Sequence, residues 1–352
     1  MILAGGAGTR FWPAGRRDRP KQLLSIASDD SMLRETLVRC ADLAPPERTW
    51  IVTNERQAVD TRTEAPEIPA DHVLAEPAMR NTAAAIAWAA ARIARVDANA
   101  VMIVLPADHV IRPAELFTRT FAAAAQRATD AGTLLTVGIE PTGPATGYGY
   151  IETGDAVAEV DGFSVRAVKS FKEKPDAHTA TRFLAAGGYL WNAGTFVWRA
   201  TAFLEALKMH LPGHAAVLDA MEADLDAGRA PAAEVYERFE NVPVDIGIME
   251  RADNVELIPG EFSWDDVGSW LALDRLRERD AKGNVTSGDV VALETSNCIV
   301  IGRPDHVVAT IDLDDLIIVS TPDATLVCPK DRAEDVKKIV EELRNRGLDN
   351  RV

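Results

Sequence analysis

Continuous apolar runs alternate with helical periodicity over the first 140 positions. Met1–Ala4, Trp50–Thr53, Val73–Ala75, Val101–Leu105 and Thr133–Ile139 are apolar throughout, as suits parallel strands covered on both faces. Between them, Ser31–Leu43, Asn81–Val96 and Ala114–Ala131 show helical spacing, the last two rich in alanine. This β-α-β order predicts an α/β fold with a doubly wound, mainly parallel sheet, its ligands beyond the C-terminal ends of the strands. Leu3-Ala4-Gly5 and Val104-Leu105-Pro106-Ala107-Asp108 are two such ends.

From 140 to 280 the pattern predicts longer loops, a strand at Phe163–Phe171 and helices at Asp176–Ala186, Ala200–Met209 and Ser269–Arg277. After Lys282 the spacing shortens. Val290–Leu293, Cys298–Ile301, Val307–Ile311, Leu316–Ser320 and Thr325–Val327 read as strands eight or nine residues apart, a small β-rich unit. An amphipathic helix, Ala333–Arg344, follows. The polar run Asp280–Asn284 sets the expected division into residues 1–280 and 281–352. No internal repeat is expected.

Length and composition narrow the class. At 352 residues with 47% hydrophobic and 26% charged residues, the chain is globular. Its formal net charge of −16 argues against nucleic-acid and anionic-membrane partners. No apolar stretch reaches the roughly 20 residues of a membrane span. Cys40, Cys298 and Cys328 are scattered, form no CxxC pair, and fit a reducing compartment. The N-terminus lacks the basic and apolar regions of a signal peptide. A soluble, acidic, cytoplasmic protein is expected.

The strongest local signal is Leu3-Ala4-Gly5-Gly6-Ala7-Gly8-Thr9-Arg10. Glycines allow sharp turns and bring backbone N–H groups against phosphate oxygens. Two familiar phosphate motifs fail: the dinucleotide pattern meets Phe11 where it needs glycine, and the P-loop pattern lacks its Gly-Lys-Ser/Thr. Arg10 and, eleven residues on, Lys21 supply cations suited to a polyphosphate. Lys21 is one of nine lysines and the only one before Lys169. Taken alone, the loop is also readable as a plain strand-to-helix turn. Asp108 ends a strand, and Asp265 and Asp266 sit in the aromatic-flanked run Phe262–Trp270. One aspartate from each segment could hold Mg²⁺, which favours one or two carboxylates plus substrate phosphates; helix capping is the alternative use of each.

Read together, these segments resemble the sugar-1-phosphate nucleotidylyltransferases. The glycine run, Arg19–Leu23, Glu76–Ala83, Pro106–Val110, Thr146–Ile151, Phe171–Pro175, Trp191–Gly194, Val244–Glu250 and Trp264–Trp270 follow one another in the family's order. The resemblance implies a nucleotide-diphospho-sugar transferase type of sheet and a short β-helical C-terminal unit through which two copies associate as a homodimer. It implies that Leu3, Gly5, Gly6, Gly8, Thr9 and Arg10 cradle the nucleotide, with Lys21 on the reacting phosphate and Glu76, Asn81 and Thr82 reading the base. Gly149, Glu173, Asn192 and Asp245 would surround the sugar and Lys174 its phosphate. Asp108 and Asp266 would hold Mg²⁺, with His109 packing beside them.

Arg80–Thr82 and Trp264–Trp270 resemble the guanylyl, mannose-using branch, which implies GTP and mannose 1-phosphate as substrates. Another sugar phosphate with GTP, glucose 1-phosphate with UTP or dTTP, and a non-catalytic nucleotide-sugar sensor are the alternatives. Met1 falls inside the first strand, so either an upstream start or an unusually short strand is expected. Longer bacterial relatives append a sugar-isomerase domain, and no isomerase activity is expected here.

Overall fold

The computed structural model describes residues 1–6, 8–228 and 232–352. The chain opens with β1 (Ile2–Leu3), β2 (Ile51–Asn54), β3 (Val73–Glu76) and β4 (Val101–Pro106). β5 (Val110–Arg112) stands apart from the main sheet. There follow β6 (Leu134–Ile139), the long β7 (Tyr150–Val160) and β8 (Phe163–Lys172), β9 (Tyr189–Arg199), β10 (Val255–Pro259) and β11 (Ser263–Asp265). Nine strands make one sheet in the order β3-β2-β1-β4-β9-β6-β10-β8-β7. It is the expected α/β sheet, parallel through β3-β2-β1-β4 and between β6 and β10. β9, β8 and β7 add antiparallel pairings.

Helices Asn81–Val96 and Ala114–Ala131 form where the periodicity predicts them. The first buries a continuous alanine face, and Ala83–Ala87 are all within 3% of full burial. Small side chains let this helix lie close against the sheet. β8 forms at the strand expected over Phe163–Phe171, whereas β7, β9, β10 and the helix Pro212–Asp226 are additions to the sequence reading. In β9, Asn192-Ala193-Gly194 suggests a turn. Pairing of Asn192 with Gly138 of β6 on one side, and its N–H bond to the Gly149 carbonyl just before β7 on the other, override that local preference.

Beyond residue 284 come β12 (Val285–Ser287), β13 (Val290–Leu293), β14 (Ile299–Ile301), β15 (Val308–Ile311), β16 (Leu316–Ser320) and β17 (Thr325–Pro329). β12, β14 and β16 stack in parallel, as do β13 and β15. The rungs reveal an internal repeat that the sequence reading did not expect. Val290 pairs with Val308 and Ile299 with Ile317, both 18 residues apart. The corners repeat too, since Glu294 and Asp312, and Asn297 and Asp315, all have positive φ. The repeat is hidden because it conserves corner geometry and apolarity rather than residue identity.

This unit shares a core with the N-terminal loop. Phe11, Trp12 and Trp270 pack with Ile299, Ile317, Val319, Leu326, Val336 and Val340. The Trp270 indole donates to the Trp12 carbonyl (3.1 Å), and the Trp12 indole to that of Arg351 (2.8 Å). The loop carrying the glycines is therefore braced from behind by the C-terminal unit. Among the described residues, no helix is long and apolar enough to cross a membrane.

Candidate active site

The register explains why distant segments meet. β1 lies between β2 and β4, with Leu3 opposite Pro106, and Asn54 of β2 opposite Glu76 of β3. Parallel pairing therefore brings Gly5, Glu76 and Asp108 to one edge of the sheet, just past the strand ends. β9 runs the other way, with Val104 opposite Phe196, so its beginning, with Asn192, lies at that same edge. The ribbon of β11 on β5, Asp265 opposite Val110, carries Asp266 to His109 and Asp108. A cavity of about 410 Å³ opens there.

Leu3, Gly5, Gly6, Glu76, Asn81, Thr82, Asp108, Gly149, Glu173, Lys174, Asn192, Asp245 and Asp266 all line this cavity. Gly8, Thr9, Arg10 and Lys21 are not among its lining residues, though the Lys21 ammonium reaches Asp108 on the wall and Gly8 packs against Lys21. Gly8 has φ +56°, and a Cβ there would come within 2.6 Å of the Lys21 Cβ, so both conformation and contact demand glycine. Among the described residues, the N–H groups of Gly5 and Gly6 meet no protein acceptor, which leaves them free for an anion.

The buried Lys21 ammonium donates to Asp108 Oδ2 (2.8 Å) and to the Asp266 carbonyl (2.5 Å). Burial alone would raise the Asp108 pKa; the Lys21 charge, with hydrogen bonds, outweighs it and holds the carboxyl below its ordinary value. The Asp266 carboxylate accepts from the Tyr148 hydroxyl (2.9 Å). Tyr148 is itself clamped edge-on by Trp191 and Trp264. Asp265 is used differently: it accepts from the Val267 N–H (2.8 Å) and from Arg275 (2.6 Å). It thereby fixes a turn in which the buried Val267 has φ +50°, a costly conformation for a β-branched residue. Burial pushes the His109 pKa down to about 4, and the Trp264 indole donates to its Nδ1 (3.1 Å). His109 is thus neutral with its proton on Nε2, and adds no charge.

A hard cation fits this place. Its donors are carboxylate oxygens, and a positive group, the Lys21 ammonium, already sits against Asp108 and the Asp266 carbonyl. Among the described residues, no group of three or more His, Cys, Asp and Glu side chains is arranged for a metal. Remaining ligands would have to come from water and substrate phosphates, a habit of Mg²⁺.

At one end of the cavity the helix Asn81–Val96 begins. Asn81 has φ +66°, and its Oδ1 accepts from the Thr82 N–H (2.9 Å). The Thr82 hydroxyl accepts from the Val244 N–H (2.9 Å). Glu76 is buried, and burial pushes its pKa up to about 7 even though Tyr236 donates to its Oε1 (2.5 Å). Its Oε2 faces Gly5, where a Cβ would lie 3.3 Å away.

At the other end, Asn192 Nδ2 donates to Asp245 Oδ1 (2.8 Å), and its Oδ1 accepts from Thr136 (3.2 Å) and the Gly194 N–H (3.1 Å). The side chain is fixed on both sides, so its orientation is set before any ligand arrives. Burial, then the charge of Glu173, raises the Asp245 pKa to about 6. Lys174 pairs with Glu173 (2.8 Å). A Cβ on Gly149 would strike Glu173 Oε2 at 2.5 Å, so glycine keeps this corner open.

Arg10 is the outlier. Half exposed, it pairs with Glu334 of the C-terminal unit (3.1 Å). Sequence reasoning gave no role to Tyr236, Glu334 or Gln22, whose amide braces the Ala4 carbonyl (2.5 Å). Tyr236 carries no motif signal, whereas Gln22 directly follows Lys21 and was within reach.

A parallel sheet whose strand ends present a glycine turn, paired aspartates and a helix N-terminus defines a nucleotide-handling α/β transferase. The chain belongs to the nucleotidyl transferase family, which matches residues 1–283, and residues 288–343 match the MannoseP isomerase/GMP-like beta-helix domain. It is 36% identical to the alginate biosynthesis protein AlgA of Pseudomonas aeruginosa, over 99% of this chain and 72% of that one. It is 38% identical to a mannose-1-phosphate guanylyltransferase of Escherichia coli, over 98% and 73%. A crystal structure described as mannose-1-phosphate geranyltransferase from Thermus thermophilus superposes with a TM-score of 0.87 at 36% identity, covering 97% of this chain and 98% of that one.

Proposed function

We propose that this chain joins GTP and mannose 1-phosphate to give GDP-mannose and pyrophosphate. The observation that carries this reading is one cavity with Glu76, Asn81 and Thr82 at one end, Glu173, Lys174, Asn192 and Asp245 at the other, and Asp108 and Asp266 also on its wall. The names borne by its relatives support the choice of nucleotide and sugar.

The attacking group is an oxygen of the sugar phosphate, which is largely ionised near neutral pH because its second pKa is about 6. A new P–O bond forms at the nucleotide α-phosphorus while the α–β bridging bond breaks, and the electron pair leaves with pyrophosphate. No protein base is needed, in keeping with a neutral His109 that supplies none. The protein must hold two anions together and offset their charge. Leu3, Gly5, Gly6, Gly8 and Thr9 receive the nucleotide, and Lys21 and Arg10 face its phosphates, Arg10 after leaving Glu334. Glu76, Asn81 and Thr82 read guanine. Gly149, Glu173, Asn192 and Asp245 hold the sugar and Lys174 its phosphate. Asp108 and Asp266 hold Mg²⁺, which when bound neutralises charge on the reacting phosphates.

The same reading divides the chain near residue 281 and sets the reaction in the cytoplasm. It also assigns homodimer formation to the C-terminal unit. Val291, Leu293 and Ile311, the last 67% exposed, share one uncovered apolar face of β13 and β15, a surface that suits a second copy. Light scattering should give twice the chain mass, and Leu293→Lys should halve it. Pyrophosphate release measured over a grid of nucleoside triphosphates and sugar 1-phosphates tests the reaction. Release with GTP and mannose 1-phosphate is expected; release only with UTP or dTTP overturns it.

A further inference from the structure

Tyr236 lies 160 residues from Glu76 in sequence, yet its hydroxyl donates to Glu76 Oε1 at 2.5 Å in a buried contact. The tyrosine is 1% exposed. Its ring is held by Trp88 from the helix Asn81–Val96 (centroids 5.6 Å apart) and by Phe239 (5.1 Å). Ala84, Val217 and Met221 complete the apolar socket. Nothing in that socket needs a hydroxyl. Among the described residues, its one hydrogen-bond partner is the carboxylate at the cavity wall.

Residues 236–245 cross the start of the helix Asn81–Val96. Besides Tyr236 to Glu76, the Val244 N–H bonds the Thr82 hydroxyl, the Ala83 N–H bonds the Val242 carbonyl (3.3 Å), and Asp245 accepts from Asn192. One short segment thus touches the residues at both ends of the cavity. With Oε1 held by Tyr236, Oε2 is the oxygen left toward Gly5 and the cavity.

We propose that Tyr236 is a positioning residue for base selection, its hydroxyl orienting Glu76 and favouring the acceptor form that selects guanine over adenine. The inference rests on the proposed guanine-reading role of Glu76. Guanine offers two donors, N1–H and N2–H, on the edge that carries its sequence-distinct pattern, so an ionised carboxylate suits it. Adenine offers an acceptor at N1 and a donor at N6, so a protonated carboxyl suits adenine instead. A hydroxyl that donates to Glu76 stabilises the ionised form and so works against adenine. Burial opposes it, raising the Glu76 pKa to about 7. The two influences are near balance in the range where the enzyme would work. Among the described residues, Tyr236 is the titratable group hydrogen-bonded to Glu76. Arg80 precedes the same helix and acts on Tyr236, while Arg17, Glu55, Arg56 and Arg344 line the neighbouring cavity behind Glu76.

The test is steady-state kinetics of Tyr236→Phe with GTP and ATP from pH 6 to 9, mannose 1-phosphate being the acceptor. Phe keeps the ring and its socket and removes only the hydroxyl. The expected result is an about tenfold loss of GTP-over-ATP preference at pH 7, the scale of one hydrogen bond to a charged group. The acid limb of kcat/KM for GTP should move to higher pH, and preference should return toward pH 9. KM for mannose 1-phosphate should stay unchanged, which a general loosening of the fold would not allow. Adding Tyr236→Phe to Glu76→Gln should then cost nothing further, whereas a packing role would add its own loss. An unshifted pH limb and unchanged preference in Tyr236→Phe overturn the proposal. Wild-type enzyme that accepts ATP and GTP alike, or Glu76→Gln with intact GTP preference, overturns the base-reading role of Glu76 itself.

Discussion

Carboxylates at different places in one cavity behave in opposite ways. Asp108 is held below its ordinary pKa, whereas Asp245 is raised to about 6 and Glu76 to about 7. Burial is the first influence on all three, and it always favours the neutral acid. The difference lies in the partner. Asp108 meets the Lys21 ammonium, while the side-chain donors to Glu76 and Asp245 are a neutral tyrosine and a neutral asparagine at 2.5 and 2.8 Å, and the charge of Glu173 raises Asp245 further. A cation keeps one carboxylate charged for a cation to bind. Neutral donors leave the others poised, able to recognise a hydroxyl or a base edge.

The largest expected effect breaks the charged end of this contrast. Asp108→Asn and Asp266→Asn should each lower turnover about 100-fold or more, the scale of one preorganised stabiliser. A near-normal rate in either would sink the metal assignment. Asp265→Asn should be milder, because Asp265 is committed to Val267 and Arg275 rather than to the cavity.

At the poised end, Glu76→Gln removes an ionisation that costs the folded protein. The folded pKa of about 7 exceeds the ordinary 4.5. The native state therefore binds the proton more tightly, and stability due to this group falls as pH rises from about 4.5 to 7, then levels off. Gln should make the protein more stable than wild type at pH 8 by on the order of 2 kcal/mol, with no difference below about pH 4. Denaturant titrations at both values check this; equal stability at pH 8 would mean that Glu76 is not strained by burial.

The smallest effect concerns Arg10. Its pair with Glu334 is exposed, and such pairs contribute about 0–1 kcal/mol. Glu334→Gln should lower KM for GTP by no more than about fivefold, by freeing Arg10 for phosphate. A rise in KM would instead make Glu334 a support for Arg10.

Much of the fold was legible because the physics was local. Strands β1 to β4 are continuous apolar runs, and the alanine-rich helix declares its buried face by composition. The five strands expected after residue 290 begin and end within two residues of those observed. The 18-residue repeat escaped because parallel stacking repeats corners, and Glu294 and Asp312 or Asn297 and Asp315 satisfy one corner with different letters. Asn192 escaped as a strand residue because a turn-like triplet is drawn into β9 by neighbours on both sides.

The sequence by itself determined the inventory: a glycine turn that only glycine can make at Gly8, two cations near it, and carboxylates at or beyond strand ends. These follow from residue chemistry and backbone freedom, which travel with the letters. Tertiary structure alone decided the assignments among equals. It spent Asp265 on a turn and left Asp266 on the cavity wall, a division that residue chemistry left open and only the family resemblance anticipated. It set Arg10 against Glu334 and brought Tyr236 to Glu76 across 160 residues. Such choices depend on which groups share a space from which water is excluded, and burial and charge act through that space rather than along the chain.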